Sequence, residues 1–349
     1  MTRVLLGPTE IAGQVALSAV AIRAAGGEAT AYTPIHRFAY AAGPDVSPPV
    51  RVGADGSTHR RRWSPLRTSR LLLTHDVMHY HFGASYFGHG HLDARLMRRL
   101  GKTVVVQFHG SDVRQPRIEA ARNPHYVAFE GESDERALNV LREWSEITGG
   151  HCLLADVGLE AHVKPSFPHV HRIPLALDTR RFAPRPPAAR NPSPTVLHAP
   201  TERAGKGTQY VRRAVEELKA RGVALTYREI YGLSQAETHA AAADCDIVID
   251  QLCLGIYSLV SLEGMAHAKP VICYIEDALA DRYPSDLPIV NANPLTITDR
   301  LAELLADGDR RAELGSRSRA FVEREHDVKV VGPKLLAIYD EIRSSRRSD

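Results

Sequence analysis

The chain has 349 residues, 44% of them hydrophobic and 24% charged, and its formal net charge is only +3. That length exceeds what one hydrophobic core comfortably fills and suits two domains of ordinary size. So small a charge surplus argues against a nucleic-acid binder, no run approaches the ~18 apolar residues of a spanning helix, and Met1-Thr2-Arg3 leads into a strand rather than a secretion signal, so a cytoplasmic protein is expected.

The first half alternates between two periodicities. Val4-Leu5-Leu6 marks a strand over 3–6, followed by a helix near 12–25, a strand near 28–32, and further strands at 77–82, 103–108 and 151–155. Between them, 91–100 has helical spacing that sets Leu92, Leu96 and Leu100 on one core-facing stripe, and 133–148 does the same with Leu138, Leu141 and Trp144. Strands alternating with helices predict a parallel sheet covered by helices. Cys152, Cys245, Cys253 and Cys273 sit in or beside apolar strand-like runs without paired metal spacing, which reads as reduced core thiols rather than a disulfide framework.

After Arg172-Ile173-Pro174 and Asp178 to Phe182, five prolines between Pro184 and Pro194 mark a linker. The alternation then resumes, with strands at 195–198 and 224–230 and helices at 208–221 and 234–243. Asp246 to Tyr274 reads as strand, loop, helix, strand: Ile247-Val248-Ile249 is a buried parallel strand, a loop holds Gly255, and 258–267 is helical with one acid, Glu263, before Lys269-Pro270 and a second strand. In such a unit a nucleotide lies outside the strand ends, its phosphates at the helix amino terminus and its ribose hydroxyls on a carboxylate. The chain closes with helices at 294–306, 310–325 and 334–343, the last with Leu335, Ile338, Tyr339 and Ile342 inward. The expected organisation is a Rossmann-like domain over 1–178, a proline-rich linker over 179–194, a second Rossmann-like domain over 195–327, and a terminal helical segment, 328–349, packing back on the first domain.

Four motifs in this order resemble the GT-B glycosyltransferases, most closely glycosyltransferase family 4, whose members are retaining enzymes that use nucleotide sugars. They are His109-Gly110-Ser111-Asp112 after a strand, Ile173-Pro174 with Asp178-Thr179 and Arg181-Phe182, Lys206-Gly207 opening a helix, and Leu262-Glu263-Gly264-Met265-Ala266 with Lys269-Pro270-Val271-Ile272. The resemblance implies an α/β fold of two Rossmann-like parallel-sheet domains facing across a cleft. It further implies transfer from a UDP- or GDP-type sugar to a sugar, lipid-linked or small-molecule acceptor with retention of configuration. The first domain would bind the acceptor and the second the donor, with no cofactor, no metal and no nucleic-acid partner. An inactive binding or scaffold relative, or a nucleotide-sugar epimerase, are the alternatives.

Stabilising a leaving diphosphate without a metal calls for cations and amide dipoles. Lys206, at the mouth of the 208–221 helix, is the first candidate; Arg203 is either a second arm of the clamp or a solvated side chain, because the family's arginine falls where this chain has Thr201. Glu263 matches the second glutamate of the family's pair, which holds the ribose hydroxyls, and two vicinal hydroxyls suit one carboxylate. The first glutamate, which in the family touches the donor sugar, is replaced here by Gly255. Amides near Tyr257, Ser258 and Leu259 remain as donors to phosphate or sugar oxygens, and Tyr257 either closes over the sugar or packs.

His109, at the carboxyl end of a strand, matches the family's histidine at the reaction centre; Asp112 either orients it or caps the next segment. Gly7 and Gly13 bound a loop that either approaches the diphosphate or acceptor closely or is a plain turn. His79 and His81 share one face of a strand, a spacing a metal can use, but no carboxylate or cysteine completes the set, so no metal is expected. Arg60, Arg61, Arg62, Arg67 and Arg70 around Trp63 form either a solvated loop or a contact for an anionic acceptor or membrane surface, the one hint of peripheral membrane association.

Overall fold

The structure, a computed structural model, describes residues 2–36, 45, 50–52, 58–60, 64–232 and 235–348, with the side chains of 35–36, 50–52, 58–60, 89, 235–236 and 346–348 left aside. The chain forms two compact units. One comprises Met1–Val113, Glu135–Ala176 and Val328–Asp349, the other Arg114–Asp134 and Leu177–Asp327. Residues 114–134 therefore leave the expected first domain for the second unit, where Asn123 Nδ2 donates to the Cys253 carbonyl at 2.8 Å and Arg122 faces Glu276 at 3.4 Å. Residues 179–194 also fold into the second unit, with Phe182 buried.

The first unit is built on a six-stranded sheet ordered His169–Arg172, His151–Leu154, Thr103–Phe108, Val77–His81, Arg3–Gly7, Glu28–Ala31, with each neighbouring pair parallel. Its Arg3–Gly7 and Thr103–Phe108 strands read as largely apolar runs because both faces are covered. Leu5, Met78, Tyr80, Val104 and Val106 face a core shared with Leu72, Met97 and Trp144, from the Pro65–Thr74, Leu92–Arg99 and Asp134–Thr148 helices. Val4, Leu6, Val77 and Val105 face the opposite core, filled by the Gln14–Ala24 and Val328–Ser348 helices through Val15, Ile22, Leu335, Ile338, Tyr339 and Ile342.

Those last two helices pack closely. A Cβ on Gly332 would stand 2.0 Å from the Ala21 carbonyl oxygen. One expected stripe is reversed: Leu92, Leu96 and Leu100 are 68%, 51% and 54% exposed, and Ala94 and Met97 fill the core instead. Leu141 and Trp144 of the next helix are buried as their spacing implies, whereas Leu138 faces solvent.

The second unit has a five-stranded parallel sheet ordered Thr226–Glu229, Thr195–His198, Ile247–Ile249, Val271–Cys273, Ile289–Asn291. The chain starts at Thr195–His198, adds a strand on one side, then continues on the other. The strand order therefore reverses between Thr195–His198 and Ile247–Ile249, and the crevice beyond the carboxyl ends of two such strands is where open α/β sheets accept ligands.

Candidate functional site

At that crevice the turn after Thr195–His198 is held from below. His198 is fully buried, its Nδ1 donating to the Ile249 carbonyl at 3.0 Å, which leaves Nε2 to accept from the Thr208 hydroxyl at 2.9 Å. Burial keeps the ring neutral by lowering its pKa. Gly207, at φ 76°, makes the left-handed turn, and any Cβ there would meet Cys253 Sγ at 3.0 Å and Leu252 Cβ at 3.1 Å. This fixes the direction of Lys206 before it.

Lys206 is not a solvated cation waiting at a helix mouth. It is buried, and its Nζ donates to Asp250 Oδ1 and Ser258 Oγ, both at 3.0 Å. Asp250, just beyond the Ile247–Ile249 strand, also accepts from the Ser258 amide at 2.8 Å, the Ser258 hydroxyl at 2.8 Å and the Ser261 hydroxyl at 2.7 Å. Burial alone would raise the pKa of this carboxyl, but Lys206 and the two serine hydroxyls outweigh it and hold the group below its ordinary value. Sequence reasoning passed over Asp250. The signal was there, an acid directly after a three-residue apolar run, where a polar group sits at a strand's carboxyl end.

Ser258 caps the Leu259–Ala266 helix, its side chain accepting from the Val260 amide. The Ser258 amide is thus committed to Asp250, which leaves the first helical amides, beginning with that of Leu259, as the ones without an intrahelical carbonyl. Glu263 lies five residues beyond Ser258 on the same helix, about 7 Å along the axis. It is 7% exposed, and its Oε1 accepts from His239 Nε2 at 2.8 Å. His239 packs on Phe182 with ring centroids 4.8 Å apart.

The remaining candidates of this unit separate from that group. Arg203 bonds Glu229 Oε1 at 3.1 Å and lies 4.1 Å over the Tyr231 ring, sharing Glu229 with Arg212. Tyr257 packs, its ring 5.2 Å from Tyr283 and its hydroxyl 3.2 Å from His326 Nε2. Gly255 stands at φ +79°, where a Cβ would approach Glu276 Cβ at 2.9 Å and Glu276 Oε2 at 3.3 Å, so neither backbone nor space admits a glutamate there. The neighbouring acid is Glu276 itself, its amide bonded to the Gly255 carbonyl at 2.9 Å and its side chain buried with no hydrogen bond to either oxygen. Burial raises its pKa, and Arg122 offsets only part of that.

In the first unit His109 emerges at the carboxyl end of Thr103–Phe108. The Asp112 carboxylate accepts its amide at 3.1 Å and that of Gly110 at 2.8 Å, so Asp112 fixes the backbone rather than the imidazole. The ring is held by His81, Nε2 to Nδ1 at 3.0 Å; His81 stacks on His79 at 4.4 Å, and His79 meets the Tyr339 hydroxyl at 2.7 Å. Burial lowers His109 to about 4 and His79 to about 3, so the rings are uncharged at neutral pH. Among the described residues no three His, Cys, Asp or Glu side chains converge on a point that would hold a metal ion.

Gly7 touches the Tyr32 carbonyl, where a Cβ would stand 2.1 Å from the oxygen, and Gly13, at φ 77°, opens the Gln14–Ala24 helix. That helix end is already filled, because Glu10 accepts the amides of Val15 at 3.0 Å and Ala16 at 3.2 Å. Glu10 is buried and pushed up to about 7 by desolvation. Two of the helix's first amides are thus taken by an internal carboxyl group. Of the arginine cluster, residues 61–63 and the Arg60 side chain lie outside the described residues; Arg67 and Arg70 are exposed. No described helix is long and apolar enough to cross a membrane.

The sequence matches no family model and no curated protein. Solved structures do resemble it. Anabaena HepE, in complex with UDP and glucose, superposes with a TM-score of 0.62 at 11% identity, over 98% of this chain and 100% of that one. A glycosyltransferase from Rickettsia africae gives 0.59 at 12% identity with 98% of both chains covered. Sucrose-phosphate synthase from Thermosynechococcus elongatus gives 0.58 at 13% identity over 99% of this chain and 100% of that one. At such identities the likeness is one of fold, and the chain carries the mixed α/β architecture of two Rossmann-like parallel sheets found in GT-B glycosyltransferases.

Proposed function

We propose that this chain transfers a sugar from a nucleoside diphosphate, of UDP or GDP type, to a hydroxyl acceptor with retention of configuration, as a relative of glycosyltransferase family 4. The observation that carries the reading is the junction of Lys206, Asp250 and Ser258 at the point where the strand order reverses, with Glu263 on the helix that Ser258 caps. That helix thereby offers an amino terminus for a diphosphate and a carboxylate further along for a ribose, and Lys206, reaching Ser258 from the neighbouring turn, adds a cation. The HepE complexes with UDP and with UDP-glucose support the donor class.

In the reaction we assign, the bond from the anomeric carbon to the diphosphate oxygen breaks with its electron pair going to the diphosphate. The acceptor oxygen then bonds to the same face of that carbon, and its proton passes to the departing phosphate oxygen. Lys206 neutralises the growing charge, and Glu263 exchanges His239 for ribose hydroxyls. His109 is uncharged, and its Nε2 is taken by His81. It is therefore assigned to the cationic sugar through its carbonyl or Nδ1 rather than as a proton donor. Glu276, beside the side-chain-less Gly255, is assigned the donor sugar's hydroxyls, since a buried carboxylate without hydrogen bonds needs donors.

The pairing of Arg203 with Glu229 and the bare Gly255 favour the second reading, a non-catalytic binding relative. Calorimetry with UDP and GDP on the wild type, Lys206→Met and Glu263→Ala tests the donor site. Each variant is expected to weaken the preferred nucleotide about tenfold or more, and equal affinity in all three overturns it. Nucleotide released from a sugar nucleotide only with acceptor present separates transfer from a scaffold, which releases none, and from an epimerase, which converts donor alone.

A further inference from the structure

The outer faces of the Pro65–Thr74 and Leu92–Arg99 helices, and of the turn after the second, expose residues that a folded domain ordinarily buries. Leu92, Leu96 and Leu100 recur every four residues and are 68%, 51% and 54% exposed, so they line up as one stripe. On the neighbouring helix Leu66 and Leu73, 85% and 58% exposed, lie two turns apart with Arg70 between them. The inward faces are filled by other side chains, Thr68 and Leu72 on one helix and Ala94 and Met97 on the other, so these leucines serve no core. Scattered exposed leucines are unremarkable, but a row on each of two helices that touch marks a contact surface.

The charge these two helices themselves turn outward has one sign, with Glu146 and Glu143 of the Asp134–Thr148 helix meeting Arg95 and His91 at its edge. The two helices carry Arg67, Arg70, Arg95, Arg98 and Arg99 and a single acid, Asp93. Asp93 is 3% exposed and turned inward, accepting from the Tyr80 hydroxyl at 2.9 Å and the Tyr86 amide at 3.0 Å. Arg95 reaches Glu146 at 3.5 Å and Arg98 the Thr148 carbonyl at 2.9 Å. Arg67, Arg70 and Arg99 have no carboxylate partner among the described residues. A second copy docking through the same patch would set arginine against arginine, which penalises a symmetric dimer. Leucines interleaved with unpaired arginines match a phosphate-bearing surface over a hydrocarbon layer.

We propose that this face docks the protein onto an anionic lipid bilayer, with the leucines at the acyl boundary and the arginines among the headgroup phosphates. The inference is independent of the sugar-transfer reading, since it rests on helices that hold none of the donor-site residues.

The test is flotation of the full chain with phosphatidylcholine vesicles, with and without phosphatidylglycerol, at increasing salt. The wild type is expected to float only with the anionic vesicles and to be released by salt. Leu92→Ser/Leu96→Ser/Leu100→Ser is expected to weaken partitioning about a hundredfold, and Arg70→Glu/Arg99→Glu about twentyfold or more. The replaced side chains are exposed, so both variants should melt like the wild type, and each checks the other. Absence of flotation with anionic vesicles, unchanged binding in the leucine variant, or a wild-type dimer in light scattering that the leucine variant dissolves would each overturn the proposal.

Discussion

Replacing Asp250 by asparagine probes how the Lys206 charge is held. The carboxylate accepts from Lys206 at 3.0 Å, from the Ser258 amide and hydroxyl at 2.8 Å each, and from the Ser261 hydroxyl at 2.7 Å. An amide in its place loses the charge, turns a donor toward groups that are themselves donors, and leaves Lys206 as a buried cation without a counter-ion. Removing one member of a buried ion pair costs about 3–5 kcal/mol, and Asp250→Asn is expected in that range. Lys206→Met removes the other member but leaves the carboxylate three donors, so its cost should be nearer 1–2 kcal/mol. Urea unfolding of the wild type, both single variants and the double variant gives these costs and their coupling. The double variant should be little worse than Asp250→Asn alone. A Lys206→Met loss equal to or larger than that of Asp250→Asn, or two losses that simply add, would refute the picture of an anion that anchors a cation.

Glu10 supplies a pH test. Its pKa is raised from an ordinary 4.5 to about 7, so the stability it gives as a neutral acid is fully present below about 4.5 and is lost as pH rises through 7. Glu10→Gln cannot ionise, and its stability relative to wild type should improve by about 2.5 kcal/mol between pH 5 and pH 8; a difference in melting behaviour that stays constant over this window contradicts the assignment. Glu276→Gln should lower kcat/KM for the donor sugar nucleotide about tenfold or more while leaving nucleotide affinity unchanged. A parallel loss of nucleotide affinity would place Glu276 in the nucleotide site or in the scaffold, not at the sugar.

Much of this fold is legible in the sequence because buried parallel strands are short apolar runs. Val104-Val105-Val106, Val196-Leu197 and Ile247-Val248-Ile249 admit little else, and the structure has strands at each. The 92–100 stripe shows the limit of periodicity, which finds a leucine face but does not say which side of the helix meets the sheet. Here small Ala94 and Met97 take the inner position. Lys206, Ser258 and Glu263 were readable as a set, since Lys206 and Ser258 precede helices and Glu263 is the one acid on the helix that Ser258 opens. Asp250, His239 and Glu276 were not, because their significance comes from what faces them across other elements. The same holds for residues 114–134, whose attachment to the second unit depends on Asn123 and Arg122, partners far away in sequence.

The connectivity of the two units has a consequence for biosynthesis. The backbone passes from one to the other at 113/114, 134/135, 176/177 and 327/328, and one core of the opening strand is completed by the Val328–Ser348 helix beside Gln14–Ala24. Val4 and Leu6 wait for Leu335, Tyr339 and Ile342, residues made long after them. An amino-terminal fragment released early, or a gene cut between the two expected domains, would therefore expose part of a hydrophobic interior, and synthesis must run through Ile342 before that face of the first sheet is fully covered.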